Sequence, residues 1–153
     1  MRFQIRIEFD GKNYVASCGN LTGCYVQSES EEAVRNLIED AIYMYRENYL
    51  KRHEPLLPGK DTPQLNHRIK FRKISSNQLS AILKRERYRL DIATEQVLLF
   101  RMIEFPFNRL LIPNAKELSP MIIQKIFGEQ NVVLLPDEDA KPKKTIKKSN
   151  DQA

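Results

Sequence analysis

At 153 residues with 41% apolar content, the chain is long enough for one ordinary domain or two small ones. Its net charge of +5 is uneven: residues 1–66 carry 8 Lys/Arg against 10 Asp/Glu, residues 67–127 carry 12 against 5, and residues 128–153 carry 5 against 5. This balance points any polyanion at the second half, while no apolar run is long enough to span a bilayer and two cysteines with distant His53 and His67 make no zinc pattern.

Met1 opens directly into a strand pattern rather than a secretory signal, so the expected compartment is the cytoplasm. In a reducing cytosol Cys18 and Cys24 are expected as free, half-buried thiols, although a hairpin would let them face each other.

Residues 2–9 alternate, with Phe3, Ile5, Ile7 and Phe9 on one face and Arg2, Gln4, Arg6 and Glu8 on the other, which predicts a half-buried strand. Asp10-Gly11 is a hairpin signal, and residues 14–18 return as a second strand. Gly19-Asn20 and Thr22-Gly23 break the chain around Leu21, a plug, and residues 24–27 make a third strand.

Ser28 and Glu31 have capping-box spacing, with Ser30 as the competing N-cap. The apolar stripe Ala33, Val34, Leu37, Ile38, Ala41, Ile42 and Tyr45 then predicts an amphipathic helix to about Lys51. Tyr43, Met44, Tyr49 and Leu50 lie off that stripe and, with the edge of the front sheet, suggest an oligomer or partner surface, with completion of the intramolecular core as the competing reading.

Residues 53–66 carry three prolines and a glycine and read as a linker; residues 59–73 are linker or one extra strand. Ser75-Ser76 caps a helix over residues 77–87. Residues 88–92, 97–103 and 109–112 read as strands. Ser119-Pro120 starts a last helix that Gly128 stops. Residues 132–135 either add a strand or dock on a partner, and the lysine-rich residues 137–153 are expected to be disordered. The fold class is α+β, β-β-β-α followed by α-β-β-β-α.

Basic residues are the strongest chemical signal. Arg68, Lys70, Arg72 and Lys73 alternate with apolar residues, and Lys84, Arg85, Arg87 and Arg89 cluster where the second helix ends. These eight are the candidate nucleic-acid-binding residues; a plain solvated surface is the competing reading. Tyr88 is a stacking platform or, more simply, core. Asp10, Glu8 and Asp40 can be imagined as a magnesium set, but a turn, an outer strand face and a wet helix side explain them better. No catalytic residue, metal or cofactor is expected.

The first half, residues 1–58, resembles the HicB antitoxin family. The points of likeness are the strand IEFDGKNYVAS, the NLTGC loop, the helix start SESEEAVRNLIEDAI and the proline segment EPLLP, with the cap one residue out of the family's register. The resemblance implies a partial RNase H-like fold without nuclease chemistry, serving binding and dimerisation.

Residues 74–130 more faintly resemble the HicA toxin family, an mRNA interferase with an α-β-β-β-α fold like a double-stranded-RNA-binding domain. The contacts are KISSNQLSAILKRERY, LLIP and KELSPMIIQKIF. The family's catalytic histidine lies in a glycine-serine-histidine motif; here the region reads Ile92-Ala93-Thr94-Glu95-Gln96, with neither glycine nor histidine. The combined expectation is a non-enzymatic antitoxin-type protein with a degenerate toxin-like half. It would bind a toxin partner, RNA or DNA, and copies of itself. The alternatives are RNA cleavage through Glu95, and DNA binding by a helix-turn-helix over residues 75–100.

Overall fold

The computed structural model describes residues 3–56, 65 and 68–136. Most of the proline-rich linker and the whole lysine-rich tail lie outside the described residues. The elements run β1 (Ile5–Phe9), β2 (Tyr14–Cys18), β3 (Leu21–Ser28), α1 (Glu31–Lys51), β4 (Ile69–Phe71), α2 (Ser76–Arg85), β5 (Tyr88–Ala93), β6 (Val97–Met102), β7 (Arg109–Pro113), α3 (Pro120–Phe127), a 3-10 turn (Glu129–Asn131) and β8 (Val132–Leu134). Among the described residues the protein is α+β, with a mostly sheet core and three α-helices.

Strands from both halves form a single six-stranded sheet, in the order β1-β2-β3-β7-β6-β5. The segments read as 1–58 and 74–130 therefore contribute three strands each to one layer. The join is β3 against β7, the one parallel pairing in that sheet, with Cys24 opposite Leu111. β4 and β8 make a separate parallel pair.

Helix α1 packs on one face of the sheet over β2 and β3. The other face carries the α2 and α3 core. The two cores are thus the two faces of the sheet, and neither belongs to one half. In β6, Leu98 and Phe100 join α2 and α3, whereas Val97 and Leu99 join α1. In β7, Leu110 and Ile112 point one way and Leu111 the other. Burial on both faces explains why VLLF and LLIP are continuous apolar runs, where the half-buried β1 alternates.

Local chemistry set several boundaries. Asp10 Oδ1 accepts from the N–H of Lys12 and of Asn13, and Gly11 takes φ 98° in that turn. Leu21 points inward and is buried, as expected of a plug, but it is the first residue of β3, which runs unbroken through Thr22 and Gly23. Ser30, not Ser28, is the N-cap of α1: its hydroxyl accepts from Ala33 N–H, while Ser28 Oγ accepts from Ser30 N–H one step outside. Ser75 and Gln78 form a reciprocal capping box on α2. Ser119 caps α3 with Pro120 at its first position.

Residues 75–100 do not form a helix-turn-helix, because α2 is followed there by β5 and β6. The β-branched and large apolar side chains of β6 are buried on two sheet faces, which a surface recognition helix does not need. Cys18 and Cys24 are free and both fully within the α1-side core, deeper than half-buried. Burial raises the Cys24 pKa well above the ordinary thiol value. No helix among the described residues is long and apolar enough to cross a membrane.

Candidate nucleic-acid interface and the polar clasp beneath it

The basic residues singled out from sequence fall into two patches at opposite ends of α2. Arg68, Lys70, Arg72 and Lys73 lie on and around β4, before the helix. Arg68, Lys70 and Lys73 are exposed, whereas Arg72 is half-buried and donates from Nε to the Pro136 carbonyl. That hydrogen bond seals β4 against β8, so Arg72 is committed to the fold. Lys84, Arg85, Arg87 and Arg89 follow the helix, and all are exposed. The ten residues of α2 span roughly 15 Å, which separates the patches.

The second patch is a compact corner. Arg87 sits at φ 72°, a left-handed step that turns the chain from α2 into β5. Its carbonyl accepts from Ile103 N–H, which ties the corner to the end of β6. Arg89 donates from Nη1 to the carbonyls of Lys84 and Tyr88, and so adds a second donor to the Lys84 carbonyl, which also accepts from Arg87 N–H. Arg87 pairs with Glu104 at 3.0 Å, but both side chains are more than half exposed, so water weakens the pair. Lys84 and Arg85 have no carboxylate partner among the described residues. Tyr88, between Arg87 and Arg89, is buried in the core and offers no stacking face; burial lifts its hydroxyl to a pKa of about 12.

Beneath this corner lies a polar clasp that the sequence reading missed. Arg109, at the start of β7, is fully buried. It pairs with Glu54 through Nη1 at 2.7 Å and donates from Nε to Asn48 Oδ1 at 2.6 Å. It also donates from Nη1 to the Phe107 carbonyl at 2.6 Å and stacks 4.0 Å from the Tyr49 ring centre. Glu54 also takes a forked pair from Arg101 of β6. Asn48 Nδ2 donates to Asp91 at 2.7 Å, and Arg52 Nε donates to the same carboxylate at 2.9 Å. The end of α1 is thereby bolted to β5, β6 and β7.

The charges in the clasp neutralise one another. Hydrogen bonding to Arg101, with Arg109 in support, outweighs burial and holds the Glu54 carboxyl below its ordinary pKa. Arg52 does the same for Asp91. Tyr49 moves upward because burial outweighs the pull of Arg109. Tyr49 is therefore core, not part of the partner surface proposed for Tyr43, Met44 and Leu50; Tyr43 and Leu50 are indeed exposed. One signal was legible: the α1 stripe through Tyr45 continues to position 48, which puts an asparagine where the helix faces the core.

The imagined magnesium set does not converge. Burial works to raise the Asp10 pKa, but hydrogen bonds from Asn13 N–H, the Ser119 hydroxyl and Lys12 N–H together hold it low. Glu8 faces Lys125 of α3 at 3.3 Å, and Asp40 is exposed on α1. Among the described residues no three His, Cys, Asp or Glu side chains form a metal-binding group. Glu95 lies exposed in the turn between β5 and β6, where Thr94 Oγ1 accepts from Gln96 and Val97 N–H. Compared with protein-family models, curated proteins and solved structures, the chain matches none of them.

Proposed function

We propose that this chain is a non-catalytic, antitoxin-type binding protein of the HicB kind, whose HicA-like second half retains a surface for RNA or DNA. In this reading β1–β3 with α1 is the partial RNase H-like unit, and α2, β5–β7 and α3 are the unit like a double-stranded-RNA-binding domain. The observation that carries it is the exposed corner of Lys84, Arg85, Arg87 and Arg89. Lys84 and Arg85 there have no counter-charge among the described residues, while the arginines inside the clasp are paired. Unneutralised, clustered cations at a helix end suit phosphates, and a shape-reading fold needs little more.

A labelled RNA and a labelled DNA, each incubated with the protein across a salt series, test this. Expected are salt-sensitive binding with no cleavage, and weaker, flatter salt dependence for Lys84→Glu/Arg85→Glu. Binding unchanged by that pair overturns the corner as the interface. Cleavage abolished by Glu95→Ala overturns the non-catalytic reading.

A toxin-type protein partner is the second reading. It is favoured by an open groove of about 450 Å³ between α1 and β5, lined by Asp40, Tyr43, Met44, Glu47 and Ile92 among others. Tyr43→Asp should abolish that capture and leave nucleic-acid binding intact.

A further inference from the structure

The six-stranded sheet ends in two edges of opposite character. β5 is blunted: its register against β6 shifts between Leu90 and Ile92, and Asp91 at the bulge is held by Arg52 and Asn48. Bulged, charge-anchored edges resist pairing with another chain. β1 has no such protection. It runs in unbroken register from Ile5 to Phe9 against β2. Ile5 is 39% and Phe9 55% exposed on the face toward α1, because α1 lies over β2 and β3.

The hydrogen-bonding direction along β1 can be read from its ends. Gly19 N–H donates to the Gln4 carbonyl, and Asp10 N–H donates to the Asn13 carbonyl. In an antiparallel pair these directions alternate, so Gln4, Arg6, Glu8 and Asp10 address β2, and Ile5, Ile7 and Phe9 turn their N–H and C=O groups outward.

The geometry points to a second copy of this chain as the occupant of the β1 edge, paired antiparallel about a two-fold axis at Ile7. In that register Ile7 meets its own equivalent and Ile5 meets Phe9 of the second copy. Every outward amide and carbonyl of the strand then finds a partner, and the two exposed apolar side chains cover each other. Arg6 falls opposite Glu8 of the second copy, in the closer, non-hydrogen-bonded positions, and the symmetry repeats the pair.

The charges also select the register. Shifting the axis to Arg6 sets arginine against arginine, and shifting it to Glu8 sets carboxylate against carboxylate; both are repulsive.

The receiving side is prepared. Glu8 Oε1 is buried and accepts no hydrogen bond, although the Lys125 ammonium lies 3.3 Å away. Beside it is a groove of about 300 Å³ lined by Glu8, Met121, Gln124, Lys125 and Glu129. Arg6 is exposed and has no ion-pair partner among the described residues. Arg6 of the second copy enters this groove with Glu8 and Glu129 as its counter-charges.

The inference is independent of the nucleic-acid reading, since its test contains no nucleic acid. Sedimentation velocity on the full chain, from low to high micromolar concentration, should show a monomer–dimer equilibrium. Arg6→Glu should weaken the dimer by about tenfold or more, since each cross-strand pair turns from attractive to repulsive. The double variant Arg6→Glu/Glu8→Arg restores opposite charges across the two strands and should recover part of the affinity lost in Arg6→Glu, the rest being lost to like-charge contacts with Lys125 and Glu129. In hydrogen exchange the amides of Ile5, Ile7 and Phe9 should gain protection as concentration rises. A monomer at every concentration overturns the inference. So does a dimer that Arg6→Glu leaves intact, or one in which those amides stay unprotected.

Discussion

Arg109 and Arg85 are the same residue type in opposite settings. Arg109 is buried and meets Glu54, Asn48, the Phe107 carbonyl and the Tyr49 ring. Arg85 ends α2 in water with no carboxylate partner among the described residues. The clasp uses charge to hold the end of α1 to β5, β6 and β7, and the corner leaves charge available. A basic sequence count cannot separate these uses; only the position of the carboxylates does.

The sharpest way to break the comparison is Arg109→Met. Removing that buried guanidinium leaves Glu54 with Arg101 alone and takes the donor from Asn48 Oδ1 and the Phe107 carbonyl, and such losses cost about 3–5 kcal/mol. Urea denaturation should show a fall of that size; a loss below about 1 kcal/mol, the range of an exposed pair, would place the clasp with the surface charges.

Acid should act on the clasp next. Glu54 and Asp91 have folded pKa values lowered from ordinary values of 4.5 and 3.8. The stability they contribute is complete above those values and is lost as pH falls through the lower folded values. The urea midpoint should therefore be level near neutrality and decline below about pH 4.5, with a shallower decline in Glu54→Gln.

Arg52→Ala sharpens the boundary of the clasp. Its side chain is 42% exposed, so despite a short contact with Asp91 its loss should cost only about 0.5–1 kcal/mol. The smallest stability effect belongs to the corner: Lys84→Ala/Arg85→Ala should stay within about 0.5 kcal/mol of the parent in urea. The same pair should nevertheless reduce RNA affinity, and more so at low salt. A large stability loss with unchanged RNA binding would reverse the roles of the two regions.

Local chemistry made much of the fold legible. The alternation of β1, the Asp10-Gly11 turn, the long stripe of α1 and the Ser119-Pro120 start of α3 each depend on neighbours in sequence, and each formed at its expected place. Errors of a residue or two arose where adjacent groups competed, as Ser28 and Ser30 did for the same helix end. The exposed basic corner was also legible, because helix termini and charge clusters are both local.

Tertiary structure alone decided the rest. The pairing of β3 with β7 joins strands far apart in the chain, and it is selected by burial of both their faces, which no local pattern encodes. The clasp follows from that join. Once α1 lies over the sheet, Asn48 and Arg109 must be buried, and buried polar groups need partners that only the assembled layers supply. The open β1 edge has the same origin: its alternation was written in the sequence, but whether it lay inside the sheet or at its margin was settled by which strands paired.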